Sequence, residues 1–483
     1  MKIELLGGKN EIGGNKILVE HKGTRILLDF GMSFKQSAKF FSEFLQPRKG
    51  LALADFFELG LLPDIKGIYR QDYLSHMERP EEDKFIDAVL LSHAHADHAQ
   101  YIHFLRNDIP IYCTEATKII LQVLEETGSN TCSDLVTGCE AFTFYPNKKG
   151  GKSRVTSKQE EYCFSRTFEL MKPTQKVCIG CLEIEMVPVD HSLPGACGFI
   201  IYSDEGTLVY TGDLRFHGSN GHLSKVFVQK AKSVKPRWLI SEGTNIHEQK
   251  VKSEHGVKQE ITKLIDLAQG LVFVEFPIRD LDRTTTIYES AKVNDRKFVV
   301  NLKLAYLIEA LGDLCPFTLD DVMILVPQKS WGLICKKGIN QKQIEQDYAT
   351  WERKYLFRDN RITYEKLSKN PNKYVVTTSM WEINQLADIK PQNAIWIKSS
   401  CEPFCEEMEL DEERKQNWLK HFNIQEYKAH ASGHATGNEI REMIKEINPQ
   451  ELIPIHTEHP ELFDRDCYKC YECARKHVQP DVF

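Results

Sequence analysis

At 483 residues the chain is too long for one ordinary core and should hold two or three domains. Its 41% hydrophobic and 27% charged residues exclude disorder and fibrous repeats, and the lack of any run of eighteen apolar residues argues against a transmembrane helix. A net charge of −7 disfavours general attraction of the whole surface to nucleic acid and leaves only a local basic groove for that role.

In chain order, the patterning predicts a strand over 2–6, a glycine-rich turn over 7–15, a strand over 16–21 and a buried strand over 25–30 that carries an acid near its end. These first residues read as strand and turn, so a secretory leader is not expected. With 14 cysteines in so long a chain, this fits reduced thiols in a cytoplasm better than a disulfide framework. Residues 35–84 are too many for a loop. They carry Phe40, Phe41, Phe44, Phe56 and Phe57, so a packed helical lid is expected there, in preference to a base-stacking platform. An apolar strand then runs directly into SHAHADH at 92–98, followed by a helix, a strand over 109–113 and a second helix to 130. The stretch 146–160, PNKKGGKSRVTSKQE, reads as an exposed loop or hairpin tip. Its Lys148, Lys149, Lys152, Arg154 and Lys158 could touch phosphates, although a solvated loop is the commoner reason for such a run.

Strands resume through 181–243, with acids and histidines at their C-terminal ends. Beyond Gly243, short apolar runs at 271–276, 297–300, 322–326, 374–377 and 394–398 alternate with helical stretches such as 283–293 and 304–311. That alternation is the pattern of a parallel α/β sheet. The expected division is a first domain over 1–243, an inserted domain over 244–395 and a return to the first over 396–483.

His93, His95, Asp97 and His98 give H-x-H-x-D-H straight after a strand. Alternate positions on an extended turn let His93 and His95 face one ion while Asp97 and His98 face a second. Imidazole and carboxylate donors suit zinc, with manganese or magnesium at a more oxygen-rich site. Chance histidines in a polar loop are a poor explanation for such a cluster at a strand end. His191, Asp213 and His456 each follow an apolar strand and complete the ligand set, with Asp213 the natural bridge between two ions. Taken singly, each of these three could be no more than a turn residue. Asp29 reads as an acid that orients a ligand histidine.

In order, Asp29, the His93–His98 cluster, His191, Asp213 and His456 resemble the motifs of the metallo-β-lactamase superfamily. The resemblance implies an αβ/βα sandwich with two divalent ions at its edge. The superfamily also hydrolyses lactams, lactones and thioesters, so two further features choose the substrate. One is the inserted α/β domain. The other is His430-Ala-Ser-Gly-His434, followed by His456; both are similar to the β-CASP subgroup, which acts on nucleic acids. Glu242, His434 and His456 match the acid and the two histidines of the subgroup's own motifs, and a histidine at the last position goes with RNA. Within the subgroup, GGKNEIGGN at 7–15, SHAHADH, HSLP at 191–194 and HASGHA at 430–435 resemble ribonuclease J. The long insertion at 35–84 and the basic stretch at 146–160 lie outside the pattern of that family.

The resemblance implies a single-stranded RNA substrate, 5′-phosphate products, 5′-to-3′ exonuclease and/or endonuclease action, a homodimer, no organic cofactor and no membrane partner. His434, backed by Glu242, would polarise a phosphate oxygen or protonate the leaving oxygen, alongside Asp97 and Asp213. His430, the Ser432 hydroxyl, the Gly433 N–H and the His434 ring would grip a phosphate, because glycine permits close backbone approach and the helix after Asn438 offers its positive end. A helix-entry turn with a core histidine would show the same residues. A DNA nuclease on the same site, or a lactone or thioester hydrolase of the same fold, are the alternatives. Cys467, Cys470 and Cys473 with His477 have metal-like spacing but no paired second half, so packing thiols are the better reading.

Overall fold

Short apolar runs at the N-terminus fold into the strands Lys2–Gly7, Lys16–His21 and Thr24–Phe30, an antiparallel meander that Ala88–Leu90, Ile111–Cys113 and Phe168–Leu170 extend in parallel. The structure is a computed structural model that describes residues 1–42, 44–48, 50–128, 132–155, 160–250, 252–403 and 406–463. Lys158 and the group Cys467, Cys470, Cys473 and His477 lie outside the described residues. A second sheet contains the antiparallel strands Lys176–Ile179, Leu182–Pro188, Cys197–Ser203 and Gly206–Tyr210, then Trp238–Ser241 and Glu451–Pro454 in parallel.

The period of two explains how the sheets meet. Ile17, Val19, Ile26, Leu28 and Leu90 of the first sheet share one buried core with Ile184, Met186, Phe199, Ile201 and Leu208 of the second. On the far face of the second sheet, Ile200, Val209 and Leu239 pack against Phe227 and Val228 of helix Gly221–Ser233 and against Ile440, Met443 and Ile444 of helix Gly437–Ile447. Each such fully buried side chain contributes about 1.5–3 kcal/mol relative to an exposed one. The second of these helices starts where a capping box allows it, with Thr436 accepting from the Glu439 N–H and Glu439 accepting from that of Thr436.

The expected lid carries helices Phe34–Ser37, Ala52–Glu58 and Gln71–His76. Phe56 is buried against Tyr101 and Phe104, Phe41 packs on Phe56, and Phe57 packs edge-on to Tyr69. Phe40 and Phe44 turn outward, at 40% and 91% exposed, so the packed-lid expectation fails for these two.

These elements form one compact unit from Met1–Phe216, Asn220–Lys250 and the described part of Gly433–Phe483; the other unit is His217–Ser219 with Val251–Ser432. The second unit is built on a seven-stranded, all-parallel sheet among the described residues. Its strand order is Arg361–Ile362, Met323–Leu325, Lys297–Val300, Tyr374–Thr378, Val272–Glu275, Ile395–Lys398, Gln425–Lys428. The sequence-based boundary at 395 therefore falls inside this sheet. Ile395–Lys398, helix Glu406–His421 and Gln425–Lys428 add one more crossover before the chain returns to the first unit. Among the described residues no helix is long and apolar enough to cross a membrane.

Candidate metal centre

Five segments of the first unit bring side chains to one place. His93, His95, Asp97 and His98 come from the loop after Ala88–Leu90, His191 from the turn after Leu182–Pro188, Asp213 from the turn after Gly206–Tyr210, Glu242 from the end of Trp238–Ser241, and His434 and His456 from the final segment. Three overlapping groups each converge closely enough to hold an ion. They are His93, His95, His191 and Asp213; Asp97, His98 and His456; and Asp213, Glu242, His434 and His456.

In the first group His95 Nδ1 stands 3.0 Å from His93 Nε2 and 3.1 Å from His191 Nε2, with Asp213 Oδ2 3.6 Å from His93 Nε2 and 4.0 Å from His191 Nε2. Three imidazole nitrogens converging at such separations cannot each carry a proton toward the others. Around a tetrahedral ion with bonds of about 2.0–2.1 Å, ligand nitrogens stand roughly 3.3 Å apart, so the cluster fits a cation. In the second group His456 Nε2 lies 3.1 Å from Asp97 Oδ2 and 3.6 Å from Asp213 Oδ2, and His98 Nε2 lies 3.1 Å from Asp213 Oδ2. Asp213 faces both groups, and its buried Oδ1 has no hydrogen-bond partner. That is the signature of a carboxylate built for a cation.

The outer ring nitrogens are engaged, which turns the inner ones to the centre. His191 Nδ1–H donates to the Gly433 carbonyl at 2.6 Å, His98 Nδ1–H donates to Asp29 at 2.7 Å, and His456 Nδ1 meets Thr244 Oγ1 at 2.8 Å. Asp29 also accepts from the Ser92 N–H and hydroxyl, both at 2.7 Å, and from the Tyr210 hydroxyl at 2.6 Å. Asp29 and His456 both adopt left-handed backbone, with φ of 56° and 54°, a strain tolerated here because these contacts fix the side chains. Asp29→Ala is expected to lower metal affinity about 10–100-fold, because His98 loses the acceptor that orients it. A chelator-competition titration measures this; wild-type affinity would show that Asp29 does not orient the ligand.

The glycine-rich turn GGKNEIGGN explains itself in this setting. Asn15 N–H donates to the Asp97 carbonyl at 2.9 Å, Lys16 Nζ donates to the carbonyls of Gly14 and Gly31 at 2.9 Å each, and Glu11 accepts from Ser33 at 2.6 Å. A Cβ on Gly31 would sit 1.7 Å from the Asp97 carbonyl oxygen, so only glycine lets this strand end support the ligand loop.

Burial, and then the neighbouring imidazoles, push His93 and His191 well below the ordinary histidine pKa, which favours the neutral form that a cation would need. Burial pulls the same way on His98, but Asp213 and Asp29 outweigh it and raise its pKa. Burial would raise Asp213, yet His456, His98 and His434 hold it well below the usual carboxylate range. His434 Nδ1 lies 3.2 Å from Glu242 Oε2 and 3.1 Å from Thr244 Oγ1. Despite burial, Glu242 and Asp213 raise its pKa to about 9.

All the expected ligands and the acid–histidine pair thus lie in the first unit. His430 and Ser432 belong to the second. There His430 Nδ1 is 3.4 Å from a nitrogen of the buried Arg283, which also binds Glu254 at 2.7 Å, and the Ser432 carbonyl accepts from His217 Nε2 at 3.0 Å. Gly433 acts here through its carbonyl, which orients His191. Sequence reasoning missed Thr244, Tyr210 and Ser92. Thr244 alone carried a signal, lying two residues beyond Glu242 in SEGT.

Residues 62–249 match the β-lactamase superfamily domain, and residues 423–464 match the Zn-dependent metallo-hydrolase RNA specificity domain, a stretch that contains His434 and His456. The chain is 25% identical over 304 residues to ribonuclease J of Mycobacterium tuberculosis (strain ATCC 25618 / H37Rv), covering 62% of this chain but only 44% of that protein. It is 22% identical over 501 residues to ribonuclease J of Pyrococcus abyssi, covering 97% of this chain and 93% of that one. A crystal structure of a protein of unknown function from Enterococcus faecalis V583 superposes with a TM-score of 0.73 at 24% identity, covering 98% of each chain, and so shares the fold.

Proposed function

We propose that this chain, which carries a metallo-β-lactamase domain and an RNA specificity domain and has ribonuclease J homologues, is a two-metal hydrolase of single-stranded RNA that leaves 5′-phosphate ends. The observation that carries the reading is Asp213, shared between a three-histidine group and the Asp97–His98–His456 group, with the His434–Glu242 pair beside it. Zinc suits the nitrogen-rich group best, with manganese or magnesium as alternatives. Bound ions would supply Lewis-acid charge and lower the pKa of a water toward neutrality.

The chain's own residues do the rest. His93, His95 and His191 hold one side of the centre, and Asp97, His98 and His456 the other. Asp29, Thr244 and the Gly433 carbonyl fix ring orientations. His434, protonated and held at Nδ1 by Glu242 and Thr244, donates from Nε2 to a phosphate oxygen or to the leaving 3′ oxygen. The Gly433 N–H completes the grip on phosphate in this reading. It carries with it a homodimer, a cytoplasmic location and no organic cofactor.

A time course on 5′-labelled single-stranded RNA tests it, comparing 5′-monophosphate with 5′-hydroxyl ends beside DNA of the same sequence. Labelled mononucleotide means a 5′-to-3′ exonuclease, and internal fragments mean an endonuclease. Cleavage of DNA alone means a DNA nuclease. No cleavage of either strand with zinc, manganese or magnesium defeats the proposal and leaves a lactone or thioester hydrolase, or a non-catalytic RNA-binding scaffold.

A further inference from the structure

From Phe144 to Val155 the sequence FYPNKKGGKSRV holds Lys148, Lys149, Lys152 and Arg154 and no acid, in a chain whose net charge is −7. It folds as an antiparallel hairpin in which Phe144 pairs with Arg154, Tyr145 with Ser153 and Pro146 with Lys152. Asn147 builds the tip. Its side-chain oxygen accepts from the N–H groups of Lys149 at 3.0 Å and Gly151 at 3.1 Å, and its amide donates to Ser153 Oγ at 2.9 Å. All four cations are exposed, and none pairs with an acid among the described residues. Phe144 is 56% exposed on the same hairpin.

The base of the hairpin is fixed. Val155 is buried and donates its N–H to the Thr143 carbonyl at 2.9 Å. Phe142 sits at φ 61°, a left-handed conformation that bulky residues rarely adopt, and is stacked on His76 at 3.6 Å between ring centroids. An anchored base, a defined tip, unpaired cations and an exposed aromatic ring together make a rigid display. Cations that gain from neutralising phosphates, beside a ring on which a base can stack, are the recognition chemistry of single-stranded nucleic acid.

We propose that this hairpin is an RNA-binding site separate from the metal centre, with Lys148, Lys149, Lys152 and Arg154 on backbone phosphates and Phe144 stacked on a base. The proposal rests on the RNA reading above, and none of these residues takes part in the metal centre. An acidic protein is the rival partner, but it would leave the exposed ring beside the cations without a role.

The test is fluorescence anisotropy of a long labelled single-stranded RNA, with EDTA present to stop cleavage. The triple variant Lys148→Glu, Lys149→Glu, Lys152→Glu should bind roughly thirtyfold more weakly at low salt, and its slope of log affinity against log salt should shrink by about 2, since each lost phosphate contact removes about 0.7. Phe144→Ala should weaken binding about tenfold with the slope unchanged. Both changes lie on exposed side chains, so the melting temperature should stay put, and cleavage of an oligonucleotide too short to reach the hairpin should keep its kcat/KM. Wild-type affinity and salt slope in the triple variant would overturn the proposal and favour an acidic protein as partner. Hairpin-dependent binding in a protein that cuts no RNA would support this site while defeating the ribonuclease reading.

Discussion

His434→Ala is expected to lower the kcat for RNA cleavage by about 10²–10⁴-fold with metal content unchanged, since it removes a proton donor and no anchor of the three-histidine group or of the Asp97–His98–His456 group. The argument is local. The His434 ring is 19% exposed, whereas His93 and His98 are fully buried, so it sits at the mouth of the centre. Its Nδ1 is committed to Glu242 and Thr244, and its pKa is raised to about 9 against the effect of burial by Glu242 and then Asp213. A histidine that served only as packing would have no need of a buried acid beside it. Element analysis of the purified variant, run beside single-turnover cleavage, separates the outcomes. A slow variant with full metal supports the donor role. Wild-type turnover would remove His434 from the chemistry, and slow turnover with lost metal would make it a ligand.

The parts of this molecule legible in the sequence are those whose signals are local. The strands at 16–21 and 24–30 are legible as short apolar runs because nearly every residue in them is buried, and SHAHADH announces itself because its ligand types sit within a few residues. The second unit's parallel sheet was legible from short apolar runs between helices, but its end was not. Gln425–Lys428 is a polar edge strand, QEYK, with no residue buried, so nothing in its composition marks it as sheet. The boundary expected at 395 therefore came one crossover early. Thr244, Tyr210 and Ser92 escaped notice for a different reason. Each acts through long-range hydrogen bonds, and a lone hydroxyl has no pattern to read. The motif HASGHA likewise gave no sign that the Gly433 carbonyl meets His191 and the Ser432 carbonyl meets His217, since each is a single long-range contact.

Asp213→Ala carries the largest expected effect, a loss of at least about a thousandfold in activity together with a fall in bound metal from about two ions to one or none. Asp213 Oδ2 lies 3.1 Å from His98, 3.6 Å from both His93 and His456, 3.9 Å from His434 and 4.0 Å from His191, so one carboxylate faces five imidazoles. No other acid in the centre has that reach. Asp97 is paired with His456, and Glu242 is taken up by His434, the Leu214 N–H at 3.2 Å and the Thr244 N–H at 3.1 Å. Removing Asp213 leaves buried histidines with their lone pairs converging and no shared anion to bring two cations close. Asp97→Ala should behave differently, emptying the Asp97–His98–His456 side while His93, His95 and His191 keep their ion. The comparison is made by metal analysis after dialysis against trace zinc, with thermal melting as the check on folding. One ion in Asp97→Ala and fewer in Asp213→Ala would establish Asp213 as the bridge. Equal stoichiometry in a folded Asp213→Ala would assign the two ions to separate ligand sets and leave Asp213 as a spectator charge.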